Sequence, residues 1–209
     1  MDAKDIGFFK ELQGVLANKR VPKLKPKGLK LEAKPKQKKE KGLGVKREPK
    51  PKSYLDLLTL TGVPNPCSGC PFEPKPKLID GVGDVDIAKL LIIMDKVTPE
   101  DLYARSMAFG WRYKKFLPLF KQAGFTEDDL YWVALTRCSG QENLDAVTHC
   151  ANYLRKELSK PNIKASLILG LRPFQLLIDQ KRTTVFKARG QIFQLLGKPC
   201  LVTWQDFDE

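Results

Sequence analysis

The sequence has no apolar run long enough to cross a membrane. Its longest apolar runs, such as LLIIM at 90–94, are far below the roughly 20 residues that a membrane-spanning helix needs. The first residues, MDAKDIGFFK, include acidic residues and lack the apolar core and cleavage site of a secretory signal. We therefore expect an intracellular protein, in the cytoplasm or nucleoid, or in the host cytoplasm if the protein is viral.

Acidic residues are scarce between 19 and 52, where 15 Lys or Arg stand against three Glu. This segment carries most of the net charge of +13, and residues 53–209 are nearly neutral. It has no apolar periodicity, and its Lys and Pro composition cannot bury enough surface to offset its conformational entropy. We predict that 19–52 is a disordered and extended basic linker.

Three functions fit the basic linker, namely a solubilising spacer, a nuclear-localisation signal and an arm that binds the phosphates of nucleic acid. Lys36, Lys38 and Lys39 are candidate phosphate contacts in such an arm. Each phosphate neutralised adds about −0.9 to the slope of log affinity against log salt, without any readout of base sequence. Salt dependence therefore separates the arm from a mere spacer.

Residues 1–18 have apolar side chains at helical spacing, among them Phe8, Leu12 and Leu16. Gly7 and Gly14 weaken such a helix. We predict a short amphipathic helix, with two alternatives for its role. It is a docking peptide for a groove on a partner protein, or it folds back onto its own domain.

From residue 53 onward the pattern is that of a globular α/β domain. Buried strands are predicted at 88–95, 129–136 and 164–170, and in the two segments GQIFQLLG and KPCLVTW. Helices are predicted at 54–60, at 111–124 with an interruption at Pro118, and at 145–158, with Pro173 opening the next one. Strands that alternate with helices predict a mostly parallel sheet between two helical layers, a three-layer αβα sandwich.

Four of the five cysteines are candidate metal ligands. Cys67 and Cys70 form a Cys-x-x-Cys, Cys138 follows the second predicted strand, and Cys150 lies on the next helix beside its apolar stripe. In a chain without a secretory signal, such cysteines favour metal or free thiols over disulfides. Four thiolates suit either zinc or an iron–sulfur cluster. The fifth, Cys200, lies in an apolar strand and is interpreted as a buried small hydrophobic residue.

The order of these segments resembles that of the iron–sulfur uracil-DNA glycosylases of family four, the thermophile type, and of related domains on some viral DNA polymerases. The similarity covers roughly 54–209. It rests on the segments CSGC, DGVGDVDIAKLLIIMD, LPLFKQAGFTEDDLYWVALTRC, CANYLRKEL, LILGLRPFQLL and TTVFKARGQIF. The resemblance implies a uracil-DNA glycosylase-like fold and a [4Fe–4S] cluster held by Cys67, Cys70, Cys138 and Cys150.

The catalytic motifs of that family have no match here. Its Gly-Glu-x-Pro-Gly loop falls on 94–98 without either glycine, and its base-reading Asn falls on Ala134. Its His-Pro motif falls near Gln205, whereas the only histidine is His149, interpreted as a surface residue. Because the loss of one catalytic donor commonly costs about 100- to 1,000-fold, the resemblance implies a protein without glycosylase activity.

Few candidates for catalysis remain in the chain. Asp95 stands in the former loop, and Phe109 matches the family's stacking Phe in altered register. Glu100 and Asp101 lie close by; like Asp95 they could be recruited as acids, but the favoured interpretation of all three is that they are surface carboxylates. An active glycosylase with rearranged residues stays open as an alternative.

We therefore expect a non-catalytic subunit that binds nucleic acid, DNA in the first place, or organises a replication or repair complex. A DNA polymerase or another replication subunit is the expected partner. The predicted nucleic-acid contacts in the globular part are Arg172, in the loop 170–173 at a helix amino terminus, and Lys187, Arg189 and Gly190. A zinc-stabilised protein-interaction module without nucleic acid is the other alternative.

Overall fold

The computed structural model describes residues 70, 78–138, 144–178 and 183–204. The predicted amino-terminal helix, the basic linker and the predicted helix at 54–60 lie outside the described residues.

The described residues contain one five-stranded sheet. Its strands are β1 (Leu90–Lys96), β2 (Leu130–Thr136), β3 (Ala165–Leu169), β4 (Phe193–Leu195) and β5 (Lys198–Thr203). They are ordered β2-β1-β3-β5-β4, all parallel except β4, which is antiparallel to β5. The prediction of an α/β fold with a mostly parallel sheet is confirmed.

Helices connect the strands. They are α1 (Pro99–Ala104), α2 (Trp111–Gln122), α3 (Leu144–Leu158), α4 (Leu171–Ile178) and α5 (Val185–Ala188), with short 3-10 helices at Met107–Phe109 and Glu127–Asp129.

Both predictions about prolines were wrong. Pro118 lies inside α2 without interrupting it, because the buried Phe116, Leu119 and Phe120 hold both halves of the helix against the sheet. This packing outweighs the roughly 3 kcal/mol that an interior proline costs. Pro173 is the third residue of α4, not the first. It is tolerated there because none of the first four N–H groups has an intrahelical acceptor.

The two faces of the sheet carry separate apolar cores. On one face, Ile92, Trp132 and Leu167 pack with Phe116 and Phe120 of α2. The members of the other core come from the strands and from α3, α4 and α5; among them are Ile93, Val133, Ile168, Val147, Leu154, Phe174 and Val185. The alternation of the β-strand sends successive side chains to opposite faces, so one strand supplies both cores.

The outer edge of β2 is partly covered by the segment that precedes β1. Ile79 donates its N–H to Arg137 O, and Val82 and Trp132 exchange two backbone hydrogen bonds in an antiparallel bridge. Gly83 allows this approach, because its φ is +108° and a Cβ there would collide with Leu130 O. Ile79, nine residues after Cys70 in the sequence, therefore lies at the carboxyl end of β2.

Candidate functional site

The sheet has its topological switch point between β1 and β3. The chain leaves β1 for β2 on one side and returns to β3 on the other, so the crevice outside these carboxyl ends is where an open α/β sheet places its ligands. Asp95 is the second-last residue of β1. Arg172 lies in the first turn of α4, which follows β3 directly.

Asp95 and Arg172 form an ion pair across this crevice. Arg172 Nη1 donates to Asp95 Oδ1 at 3.0 Å and to Oδ2 at 3.3 Å, and both side chains are largely buried. The structure thus joins a candidate catalytic carboxylate to a candidate phosphate contact. A ligand phosphate at Arg172 would have to compete with Asp95 for the guanidinium.

Buried residues surround the strand ends beside the crevice. Ala134 is buried in the sheet next to Met94, its register partner on β1, and both belong to the core on the α2 side. Val97 and Thr98 are also buried, and α1 begins directly after them at Pro99. The segment 94–98, which stands where the resembling family has a glycine-rich loop, here ends a strand and caps a helix.

Asp101 is a structural residue, and its interpretation as a surface carboxylate was wrong. It is buried, and its Oδ2 accepts hydrogen bonds from Thr98 N at 2.8 Å and Thr98 Oγ1 at 2.9 Å. In return Asp101 N donates to Thr98 Oγ1, which completes a capping box at the start of α1. Glu100 is exposed, and the hydrogen bond from its own backbone N–H, followed by one with Thr98, lowers its pKa.

Beside the crevice, α1 and the start of α2 present an aromatic–basic face, made by Tyr103, Phe109, Trp111, Arg112, Lys114 and Lys115. Tyr103 is 93% exposed, Phe109 55% and Trp111 38%. Arg112 and Lys115 lie 5.0 and 5.8 Å from the centre of the Trp111 ring, and Lys114 Nζ lies 6.0 Å from that of Phe109. These distances are those of cation–π contacts.

A cleft of about 390 Å³ opens on this face. It is lined by Pro99, Glu100, Tyr103, Ala104, Phe109 and Lys114. The sequence analysis proposed Phe109 as a stacking residue, whereas it did not single out Tyr103, Trp111 or Lys114. The string FGWRYKK, in which aromatic and basic residues alternate, is the sequence signal that could have found the last two.

The other predicted nucleic-acid contacts in the globular part lie on the opposite side of the sheet. Lys187 is exposed on α5, Arg189 ends that helix half-buried, and Gly190 is exposed with φ +78°. This helix packs on the sheet through Val185 and Ala188, members of the α3 and α4 core. Lys36, Lys38 and Lys39 lie outside the described residues.

Three of the four candidate metal ligands are described. Cys138 is buried two residues after β2, and Cys150 is buried on α3, one turn from Val147 and Leu154, which pack on the β2 side of the sheet. Cys70 is half-buried, and Cys67 lies outside the described residues. Within the described part, no three Cys, His, Asp or Glu side chains gather closely enough to hold a metal ion.

His149 and Cys200 are the other two residues that the sequence analysis considered beside the four cysteines, and they differ in burial. His149 is half-buried on α3 beside Cys150. Cys200 is fully buried in β5, as predicted, and burial raises the pKa of its thiol to about 12.

A buried charge network lies directly beside Cys138, and sequence reasoning missed it. Arg137 Nη2 contacts Glu157 Oε1 at 2.6 Å and Oε2 at 2.5 Å, and its guanidinium lies 4.9 Å from the centre of the Tyr153 ring. Tyr131 OH donates to Glu157 Oε1 at 3.2 Å. The network therefore ties both ends of β2 to α3, the helix that carries Cys150.

Burial sets the ionisation of this network. It raises the pKa of Glu157, an effect that the Arg137 charge opposes. It also raises the pKa of Tyr131 to about 12, together with the neighbouring Glu157 carboxylate. Burial therefore disfavours the charged form of Glu157, and the positive charge of Arg137 is needed to stabilise the carboxylate.

No protein-family model matches the chain, and no curated protein matches it. Among the helices of the described ranges, none combines the length and the apolar character that a membrane crossing requires.

Proposed function

We propose that the chain is a non-catalytic, uracil-DNA glycosylase-like [4Fe–4S] protein that binds nucleic acid inside the cell as a subunit of a replication or repair complex. Its domain, 53–209, is a three-layer αβα sandwich, and 19–52 is its basic arm. A DNA polymerase or another replication subunit is the proposed partner.

The observation that carries the non-catalytic assignment is the state of the switch-point crevice. Base excision needs an amide that reads the base edge and donors that stabilise the leaving oxyanion. Here a buried methyl group, Ala134, stands at the base-reading position of the resembling family. Asp95, the remaining acid, is engaged by Arg172.

A single-turnover assay tests this assignment on uracil-containing DNA, single-stranded and double-stranded. We expect no excision above the uncatalysed rate from the wild type. Excision that disappears in an Asp95→Ala variant would establish the active-enzyme alternative and end the non-catalytic proposal.

The cluster proposal rests on the donor set and on the direction of the chain. Cys138 follows β2, Cys150 lies on the helix that packs over it, and Ile79, nine residues after Cys70 in the sequence, lies at the same end of β2. Thiolates are the ligands of [4Fe–4S] clusters, and each would bind a different iron. Cys67, Cys70, Cys138 and Cys150 would hold the cluster.

The cluster would act as a structural tie. When bound, it supplies covalent links between three chain segments, so that folding and metal binding become one equilibrium. The Arg137–Glu157 pair holds α3 against β2, and thereby fixes the helix that carries Cys150 relative to the strand that leads to Cys138.

Elemental analysis and visible absorption of anaerobically purified protein test the cluster. We expect a brown protein that absorbs near 400 nm and contains iron. Cys150→Ser should lose iron and colour, whereas the matched control Cys200→Ser, which alters a cysteine buried in β5, should keep both. A colourless wild type that contains zinc would support the zinc module instead.

A further inference from the structure

The aromatic–basic face exposes more aromatic surface than folding requires. Tyr103, Phe109 and Trp111 come from α1, the 3-10 helix and α2, and all three keep more than a third of their surface in solvent. Apolar side chains that cluster on a surface, in contrast to single ones, mark an interaction site. The solvent-exposed parts of these rings are the surface that a flat partner can cover.

The charge around these rings is positive. Between 96 and 115 there are five Lys or Arg and two acidic residues. Asp101 and Arg112 are both buried, which leaves Glu100 as the solvent-facing acid against four basic residues, Lys96, Arg105, Lys114 and Lys115. Lys114 and Lys115 are therefore placed to meet an anion next to an aromatic ring.

The cleft on the face has the size of a small-ligand site. Its volume of about 390 Å³ lies within the usual range of about 300–1,000 Å³ for such sites. Tyr103 and Phe109 line it together with Lys114. Glu100 on its wall can accept a hydrogen bond from an N–H group of a base, such as N3–H of thymine or uracil, while it repels phosphate.

The parts of this face are held in fixed positions. Arg112 is buried and its Nη1 donates to Lys96 O at 3.2 Å, which attaches the start of α2 to the end of β1. Gly110 packs so closely on Asp101 that a Cβ would collide with its carboxylate. Such preorganisation lowers the cost of ordering the site when a ligand binds.

We propose that the aromatic–basic face binds unpaired nucleic acid, with one base in the Tyr103–Phe109 cleft, a neighbouring base on Trp111, and the intervening phosphates on Lys114 and Lys115. This proposal rests on the proposed nucleic-acid function and names single strands as the substrate class. Base stacking on aromatic rings combined with basic side chains is how proteins hold single strands without reading their sequence. A duplex has no free base faces to offer along its length.

Fluorescence anisotropy with the full-length protein tests the proposal. The probes are labelled oligo(dT), an abasic oligonucleotide of the same length, the matching duplex, and oligo(rU), which separates DNA from RNA. Because stacking contributes about 1–3 kcal/mol per base, oligo(dT) should bind about 5- to 150-fold more tightly than the abasic strand. The abasic strand has the same phosphates, so this ratio isolates the bases.

Variants assign the ratio to the face. Tyr103→Ala and Trp111→Ala should each weaken oligo(dT) binding by about 5-fold or more and leave the affinity for the abasic strand unchanged. The matched control is Phe186→Ala, because Phe186 is 78% exposed on α5, on the opposite side of the sheet. Circular dichroism checks that each variant is folded.

Three outcomes would overturn the proposal. The abasic strand binds as tightly as oligo(dT), or Tyr103→Ala behaves as Phe186→Ala does, or the face prefers a labelled polyglutamate peptide to oligo(dT). In the first two cases binding through the basic arm can persist, and the proposed nucleic-acid function stands without this face. If no oligonucleotide binds at all, the proposed nucleic-acid function itself is wrong.

Discussion

The Arg137–Glu157 pair allows a sharp test, because its two side chains are buried and few other groups can satisfy them. Glu157→Leu removes the acceptor of both Arg137 contacts, at 2.5 and 2.6 Å, and the acceptor of Tyr131 OH. The Arg137 side chain is only 4% exposed, so water cannot replace the lost carboxylate. The variant leaves an isolated cation next to Cys138.

The expected magnitudes follow from this geometry. A buried cation without its partner costs about 3–5 kcal/mol of unfolding free energy, which we expect for Glu157→Leu. Glu157→Gln keeps one acceptor oxygen but removes the negative charge, so it should cost about 1.5–3 kcal/mol, less than Glu157→Leu. The double variant Arg137→Met with Glu157→Leu replaces the pair by apolar groups, and should lie within about 1 kcal/mol of the wild type.

The pH dependence supplies a second readout. Burial raises the pKa of Glu157 above its ordinary value of 4.5, so the folded state holds this proton more tightly than the unfolded chain does. The contribution of Glu157 to stability is therefore greatest below pH 4.5 and falls as the pH rises through the folded pKa. Since Gln does not titrate, the stability of the wild type relative to Glu157→Gln should fall as the pH rises above 4.5.

Urea unfolding of these four proteins and of the single variant Arg137→Met, followed by far-UV circular dichroism at several pH values, measures these differences. Single-variant costs that simply add up in the double variant would refute the coupling between Arg137 and Glu157. A cost of Glu157→Leu no larger than that of Glu157→Gln would show that the acceptor oxygen kept by Gln does not stabilise Arg137.

Four further outcomes can be checked. Gly110→Ala should lower the unfolding free energy by about 1–3 kcal/mol in urea titrations, because the new Cβ would overlap the Asp101 carboxylate. Gly190→Ala is the comparison, because that site has a φ of +78° and no atom near the new Cβ; it tests whether overlap or backbone strain dominates. Lys198→Met should cost about 1–2 kcal/mol in the same assay, since Lys198 Nζ donates to two carbonyl groups at the end of α3, each at 2.6 Å. Cys200 should resist alkylation at pH 8 in the folded protein and react after denaturation, because its thiol is buried and its pKa is about 12. Deletion of 19–52 should weaken binding to DNA and flatten its salt dependence, by about 0.9 in slope per lost phosphate contact; an unchanged slope would leave the linker as a spacer.

Strands were predictable because a parallel strand buried on both faces is a continuous apolar run. LLIIMD and LYWVALT lie almost wholly within β1 and β2, and both were predicted within two residues of their bounds. The apolar stripe of α3 is likewise confirmed, since Val147, Ala151, Leu154 and Leu158 all lie in one core.

The predictions for Pro118 and Pro173 were wrong because they rested on the local helix propensity of proline alone. The tertiary packing of α2 overrides Pro118, and no local pattern reports how strongly a helix is held by a sheet. Asp101 was different, because Thr98-Pro-Glu-Asp101 has the spacing of a capping box and could have been read as one.

The candidate site was only partly accessible from sequence. Asp95 and Arg172 stand 77 residues apart, and Arg137 and Glu157 stand 20 apart, so their pairing depends on strand order and helix packing. The convergence of the four cysteines stays a prediction, because Cys67 lies outside the described residues and Cys70, Cys138 and Cys150 do not gather into a metal site in the described part of the chain. Exposed aromatic residues carry no periodic signal, which is why Tyr103 escaped notice.

The segment at 79–82 constrains how this protein can assemble with others. An uncovered outer strand invites a second chain to extend the sheet, and this is also the route to uncontrolled association. Here Ile79 and Val82 already hydrogen-bond to the backbone of Arg137 and Trp132, so an incoming strand would first have to break these hydrogen bonds. At the opposite edge of the described sheet, β4 has only three residues, which are too few to pair stably with a strand of another chain. Any companion subunit should therefore recognise helices and loops, and leave the sheet at its present width.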